Sequence, residues 1–253
     1  MKFDFKQFSV QQDRCAMKIG TDGVLLGAWV SLEKKPQSIL DIGAGTGILS
    51  LQLAQRCFTE TLDAIEIDED AFEQCVLNFE NSPWGDRLFC FHASAQEFAS
   101  EIEEEYDLII SNPPFYSDTY KSEDNQRNTA RFTDTLPFKD LVIFAYQFLS
   151  EKGIFALILP RKEEENFIAL ASEVGLFPKR ICRVKGNLTS EVKRSLLEFT
   201  FEKIEIIKEE LTLEISRHVY TEAYKKLVND FYLKCNYNPL SKGLVKQVGP
   251  PPP

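Results

Sequence analysis

The chain has 253 residues, 43% of them hydrophobic, enough for one α/β domain with a well-buried core and small additions. A formal net charge of −10, with a pI of about 4.9, argues against indiscriminate nucleic-acid binding, because phosphate contacts need Lys and Arg. Six scattered cysteines (Cys15, Cys57, Cys75, Cys90, Cys182, Cys235) with no C-x-x-C pair, and only His92 and His218, exclude a zinc or disulfide framework as an expectation.

Met1 to Lys6 mixes charge throughout, and no later apolar run approaches membrane-spanning length, so a cytoplasmic, membrane-free protein is expected. Phe3 to Gly20 alternates aromatic and polar residues, and Gln11 to Gly20 suggests a strand or hairpin ahead of the main sheet. Thr21 or Asp22 can cap a helix over Val24 to Leu32. Lys18, Thr21 and Asp22 either cap and solvate that helix or close over the methionine end of a cofactor.

The stretch Ser38 to Gly47 is a short apolar strand that breaks into Gly43, Ala44, Gly45, Thr46 and Gly47 before a helical run, Ile48 to Arg56. Glycines are needed where a ligand approaches the backbone, and the following helix start offers unpaired N–H groups. The spacing is G-x-G-x-G; Ile48 stands where a dinucleotide fingerprint has its third glycine. This favours S-adenosylmethionine over a nicotinamide cofactor, with Asp41 at the strand's end. After the strand Leu62 to Ile67, Glu66 is placed to hold ribose hydroxyls, with Ile67 beside it. In the helix Glu69 to Glu80, Phe72, Cys75, Val76 and Phe79 form a core stripe. The strand Arg87 to His92 runs into Ala93, Ser94 and Ala95, where a third strand end meets an adenine ring, and the acidic run Glu97 to Glu105 reads as a solvated helix.

The strand Tyr106 to Ser111 ends in Asn112-Pro113-Pro114-Phe115. Two prolines hold the backbone extended and leave carbonyls without adjacent donors. The Asn112 side-chain carbonyl and the Pro113 carbonyl can accept both hydrogens of a flat amino group while Phe115 stacks on its ring. Holding both N–H bonds lets such a nitrogen pyramidalise towards a methyl donor without a strong base. The plainer alternative is a proline turn with Asn112 as a cap. From Tyr116 to Thr135 the chain is polar, with Lys121, Arg127 and Arg131 among aromatics, and reads as a substrate lid.

A helix Phe138 to Leu149, a turn at Glu151 to Gly153 and a strand Ile154 to Leu159 continue the pattern; Pro160, Arg161 and Lys162 exit at the active edge. After a helix Glu163 to Val174, Lys179 to Val184 and Ser195 to Phe201 read as an antiparallel hairpin. That segment carries Lys179, Arg180, Arg183, Lys185, Lys193 and Arg194 against Glu191. It is either an edge kept soluble by charge or a track for a phosphate backbone. Tyr220 to Cys235 reads as an amphipathic helix, and the terminal Gly-Pro run has no assigned role.

These elements predict an α/β, doubly wound, mostly parallel seven-stranded sheet with a C-terminal antiparallel hairpin. A lead-in over residues 1–35 packs over the cofactor site, residues 36–248 form the catalytic domain, and 249–253 are a tail. The lead-in segments Phe5 to Phe8, Asp13 to Gly23 and Leu25 to Trp29, followed by DIGAGTG, EID and NPPF, resemble the bacterial tRNA1(Val) adenine-N6-methyltransferase family of class I methyltransferases. The resemblance extends to Leu159 to Lys162, Leu196 to Phe199 and Asp230 to Leu233.

It implies methyl transfer from S-adenosylmethionine to N6 of adenine 37 in the anticodon loop of a valine tRNA, by a metal-free monomer. Asp41, Gly43, Ala44, Gly45, Gly47, Glu66, Ile67, Ser94, Ala95 and Asn112 would then hold the cofactor. Asn112, Pro113, Pro114 and Phe115 would hold the adenine; Tyr116, Arg127, Arg131, Arg161, Lys179, Arg180 and Arg183 would meet the RNA. Competing readings are N-methylation of a ribosomal RNA guanine or of a protein glutamine amide, DNA adenine methylation, and a non-catalytic binding module of the same fold. A nicotinamide oxidoreductase is disfavoured by the glycine spacing.

Overall fold

The computed structural model describes residues 2–114 and 136–233. Two short strands, β1 (Lys2–Asp4) and β2 (Ser9–Gln11), pair antiparallel apart from the main sheet, and α1 (Thr21–Trp29) follows. The alternating core then runs β3 (Ser38–Ile42), α2 (Ile48–Arg56), β4 (Thr61–Glu66), α3 (Glu69–Glu80), β5 (Leu88–His92), α4 (Ala95–Glu101) and β6 (Tyr106–Ser111). After the undescribed segment come α5 (Phe138–Phe148), β7 (Leu149–Pro160), a 3₁₀ turn (Arg161–Glu163), α6 (Glu164–Glu173), β8 (Phe177–Asn187) and β9 (Val192–Thr200). The described chain closes with β10 (Ile207–Ser216), β11 (Val219–Tyr220) and α7 (Glu222–Val228).

The main sheet has the order β11-β10-β8-β9-β7-β6-β3-β4-β5. Its central strands β3, β6 and β7 are apolar on both faces, as helices on both sides require. Along β3 and β6, Ile39, Leu108 and Ile110 point into one hydrophobic cluster and Leu40 and Ile109 into the other, the period-two alternation of a pleated strand. Phe5 and Phe8 join the first cluster with Phe231 and Tyr232 from the far end of the described chain. A Lys6 N–H to Phe231 carbonyl bond of 2.8 Å ties those two ends together.

β3 pairs parallel with β4 on one side and β6 on the other. The direction of winding reverses there, which opens a crevice at the carboxyl ends of β3 and β6. Ile42 lies opposite Ser111, so Gly43 and Asn112, the next residue of each strand, leave the sheet side by side.

Four expectations are corrected. The seven expected strands are β3 to β9, but β10 adds in parallel beside β8, and β11 beside β10. β8 is therefore not an edge; β10 is mostly exposed and carries Lys208, Glu209, Glu210 and Glu214, although Leu211, Leu213 and Ile215 alternate with polar residues as a strand requires. The Glu151–Gly153 turn is instead a bulge inside β7, since Tyr106 faces Leu149 and Leu108 faces Ile154. α1 begins at Thr21, with Gly20 as its N-cap and no side-chain cap bond. The C-terminal helix is shorter than expected, because Tyr220 belongs to β11.

Candidate active site

The glycine turn after β3 is held by Gly43 and Ala44 N–H groups bonding to the Ile65 carbonyl at 2.9 and 3.1 Å. Gly43, Gly45 and Gly47 have φ of +72°, +54° and +75°, in the left-handed region. A Cβ on Gly43 or Gly45 would meet nothing within 4 Å, so both border open space. A Cβ on Gly47 would sit 2.6 Å from Phe79 Cε1 and 2.9 Å from Cys75 Sγ. Two glycines thus leave a cradle open, and the third lets α2 seat against α3.

Glu66 closes the cradle's far wall. Its Oε2 accepts the Gly45 N–H at 2.8 Å, and its Oε1 accepts the Ile67 and Asp68 N–H groups, both at 2.9 Å. A carboxylate has roughly four acceptor positions, so about one remains, on Oε2. Asp41 beneath the turn is fully buried and takes both the N–H and the hydroxyl of Ser50 on Oδ2, at 3.2 and 2.7 Å. Its Oδ1 has no protein partner. Burial, outweighing the Ser50 bonds, pushes the Asp41 pKa up to about 7.

The lead-in is fastened to itself and to α3. The Gln12 carbonyl oxygen accepts the Ile19 N–H at 2.8 Å; Arg14 bonds Gln74 through its backbone and Glu73 through its side chain, both on α3. Cys15 is thereby buried, and burial together with the nearby Glu66 charge drives its thiol up to about 12. The first turn of α1 meets the other half of the crevice, where a Cβ on Gly23 would lie 3.8 Å from Asn112 Nδ2. The Thr21 hydroxyl in that turn is buried without a protein partner, and Asp22 pairs with Arg194 of β9 at 2.7 Å. Lys18 is exposed.

Asn112 is half-buried, Pro113 buried and Pro114 exposed. Phe115, Tyr116, Arg127, Arg131 and the expected lid lie outside the described residues. Ile67 is 43% exposed at the end of β4, and the neighbouring strand end is tied to it by an Ala93 N–H to Glu66 carbonyl bond of 3.2 Å. Ser94 is the N-cap of α4 in a reciprocal box with Glu97, its hydroxyl donating to Oε2 at 2.8 Å and accepting the Glu97 N–H at 3.1 Å. Ala95 follows, buried. Ser50, Cys15 and Arg194 were not singled out as site residues from the sequence. Only Ser50 carried a signal, a hydroxyl in the first turn of α2.

The arginines of the basic hairpin are ion-paired. Arg180 stacks over Trp29 at 4.2 Å, donates to the Trp29 carbonyl and pairs with Glu209 at 3.0 Å, with buried Glu198 at 3.6 Å. Arg183 pairs with Glu164 at 2.7 Å; Arg161 reaches Glu164 at 3.5 Å and Glu165 at 3.1 Å. Glu164 is 1% exposed and also accepts the Ser195 hydroxyl at 2.5 Å. Burial raises its pKa, but the Arg183 and Ser195 bonds and the Arg183 and Arg161 charges outweigh this, and the net shift is downward. Each of these arginines thus has a carboxylate partner within the fold, while Arg161 and Arg183 keep part of their side chains at the surface. Lys179 is half-buried.

Among the described residues, no group of three or more His, Cys, Asp and Glu side chains is placed to hold a metal, and no helix is long and apolar enough to cross a membrane.

The family model of the methyltransferase small domain matches residues 24–167. A protein of Christiangramia forsetii named tRNA1(Val) (adenine(37)-N6)-methyltransferase is 61% identical over 234 residues, covering 92% of this chain and 98% of its own. A protein of Flavobacterium johnsoniae with the same name is 60% identical over 233 residues, covering 92% and 99%. In fold, the chain is similar to a crystal structure described as a predicted O-methyltransferase of Agrobacterium tumefaciens. The TM-score is 0.63 at 18% identity, over 83% of this chain and 96% of that one.

Proposed function

The chain belongs to the tRNA1(Val) (adenine(37)-N6)-methyltransferase family, and from that membership we propose that it methylates N6 of adenine 37 in a valine tRNA, using S-adenosylmethionine. The observation that carries the reading is the register of β3 against β6, which puts an open glycine cradle beside Asn112 and Pro113.

The residues fit the cofactor. Gly43 and Gly45 leave space that any Cβ would occupy, and the remaining acceptor position on Glu66 suits a ribose hydroxyl. The unpartnered Asp41 Oδ1 and Thr21 hydroxyl are polar atoms that a bound polar ligand can satisfy. Ile67 and Ala95 offer apolar surface to the adenine ring of the cofactor, with the Ser94 hydroxyl committed to its cap. Lys18, Thr21 and Asp22 border the methionine end. S-adenosylmethionine supplies an electrophilic methyl group on a sulfonium.

Asn112 and Pro113 accept the two N6 hydrogens of the target adenine, with Phe115 as the stacking face. Fixing both bonds turns the nitrogen lone pair out of conjugation and towards the methyl group. With the cofactor bound, the N6–methyl bond would form as the methyl–sulfonium bond breaks, leaving a neutral thioether, and the cationic N6 would lose one of the protons held at the Asn112 and Pro113 carbonyls to solvent. No strong general base is required. A loop adenine costs only a few kcal/mol to unstack, which suits a site at the open edge of a sheet.

Two variants separate the roles. Asn112→Ala should lose methyl transfer while S-adenosylmethionine affinity, read by calorimetry, stays nearly unchanged. Glu66→Ala should weaken cofactor binding first. Equal loss of cofactor binding in both contradicts the assignment.

A further inference from the structure

Arg161, Arg180, Arg183 and Arg194 each pair with a carboxylate, whereas other groups at the catalytic edge stand outward. Pro160, Arg194 and Val184 stand level across β7, β9 and β8. Beyond that level β7 ends while the β8–β9 hairpin continues through Lys185, Gly186 and Asn187, rising about 10 Å past the end of β7 at ~3.3 Å per residue, with β10 paired along its outer side, Thr212 level with Lys185 and Glu214 with Asn187. β9 is two strands from β6, so the projection stands about 10 Å to one side of Asn112 at ~4.8 Å per strand.

The tip is rigid and its outward side chain is apolar. Asn187 Oδ1 accepts the Thr189 and Ser190 N–H groups at 3.0 and 2.9 Å, and the Ser190 hydroxyl oxygen accepts the Asn187 N–H at 2.9 Å. Leu188, inside that cross-bonded turn, is 65% exposed. At the base of the finger, Lys193 is the extra residue of a bulge, since Lys185 faces Val192 while Val184 faces Arg194; it is exposed, with no ion pair among the described residues. Lys162, just past Pro160, has a 60% exposed side chain and only a loose 3.7 Å approach to Glu163. Glu191 on the tip is exposed as well, so the finger presents alternating charge with two lysines at its foot.

We propose that this finger is an RNA-docking element, with Leu188 wedged against a base neighbouring the flipped adenine and Lys162 and Lys193 on the flanking phosphates. The inference rests on the reading of the substrate as RNA. A rigid turn costs little entropy to insert, and an apolar wedge holds a stack open after the target base has left it.

The test measures tRNA binding against salt, S-adenosylmethionine affinity and methyl transfer for the full chain, its Lys162→Ala/Lys193→Ala double variant and Leu188→Ser. These are exposed positions, and unfolding curves verify that each variant is folded. The double variant should flatten the slope of log K against log salt by about 1.4 to 1.8, two contacts at ~0.7 to 0.9 each, with S-adenosylmethionine affinity unchanged. Leu188→Ser should keep the wild-type slope but lose about tenfold in transfer to a folded anticodon stem-loop, through the lost wedge. A wild type that methylates tRNA beside a double variant with unaltered slope, or a Leu188→Ser with unaltered rate, overturns the finger. A wild type that methylates no RNA overturns the substrate reading beneath it.

Discussion

Replacing each glycine of the β3–α2 turn by alanine separates cofactor space from packing space. All three positions have positive φ, so each substitution carries a left-handed backbone cost of about 1–2 kcal/mol. At Gly43 and Gly45 that is the whole effect on the unliganded fold, because the new methyl meets nothing within 4 Å. At Gly47 the methyl lies 2.6 Å from Phe79 Cε1 and 2.9 Å from Cys75 Sγ, adding an overpacking cost of about 1–3 kcal/mol. With 1 kcal/mol worth about 2–4 °C in a protein of this size, Gly47→Ala should lower Tm by roughly 4–20 °C and Gly43→Ala by roughly 2–8 °C. Cofactor affinity should follow the opposite order. In the cradle a methyl displaces bound ligand by a similar steric energy, about 1–3 kcal/mol, so Gly43→Ala and Gly45→Ala should weaken S-adenosylmethionine binding about 5- to 150-fold. Differential scanning fluorimetry and isothermal calorimetry on the three variants read both quantities. Undiminished S-adenosylmethionine affinity in both Gly43→Ala and Gly45→Ala would refute the claim that the open side of the turn is the cofactor cradle.

Arg180→Ala leaves buried Glu198 without its cation and should cost about 2–4 kcal/mol in urea unfolding; a change in tRNA affinity with no loss of stability contradicts the internal role. Asp41→Asn bears on pH. The native carboxyl keeps its proton up to about pH 7 while the unfolded one releases it near 3.8, so between those values the native state binds the extra proton. Asp41 therefore favours folding most below pH 3.8 and loses that contribution as pH rises to 7, by up to about 4 kcal/mol at ~1.4 kcal/mol per unit. The variant's unfolding free energy, relative to wild type, should rise across that window; a constant difference contradicts an Asp41 proton held to neutrality. Gly27→Ala should destabilise by about 1–3 kcal/mol in the same unfolding assay, because a Cβ there would lie 2.3 Å from Gln52 Oε1 where α1 crosses α2. An unaltered unfolding midpoint contradicts that close packing.

The parts of this fold legible in the sequence are those whose signal is local. β3, α2, α3 and β6 begin and end where Ser38, Ile48, Glu69 and Tyr106 predict, because apolar period, glycine breaks and the Asp68 cap act within a few residues. β10 escaped although Leu211, Leu213 and Ile215 alternate with polar residues, because the charged run Lys208 to Glu210 masks its start and only Leu211 is buried in it. The glycine turn, Glu66 and Asn112 likewise announce their neighbourhood through chain order, since each follows a parallel strand and all such strands end at one edge. The pairing of Arg183 with Glu164, and of Arg180 with Glu198, had no such signal. Those carboxylates lie 19 and 18 residues away along the chain, and tertiary structure alone shows that the two arginines are paired. Cys15 over Glu66 was hidden for the same reason.

The most direct test of the account is methyl transfer from labelled S-adenosylmethionine into total tRNA from a strain lacking this modification, followed by nucleoside analysis and mapping. N6-methyladenosine at position 37 of valine tRNA, lost in Asn112→Ala, is the predicted result. Label in ribosomal RNA, in a protein, or in no acceptor at all contradicts it.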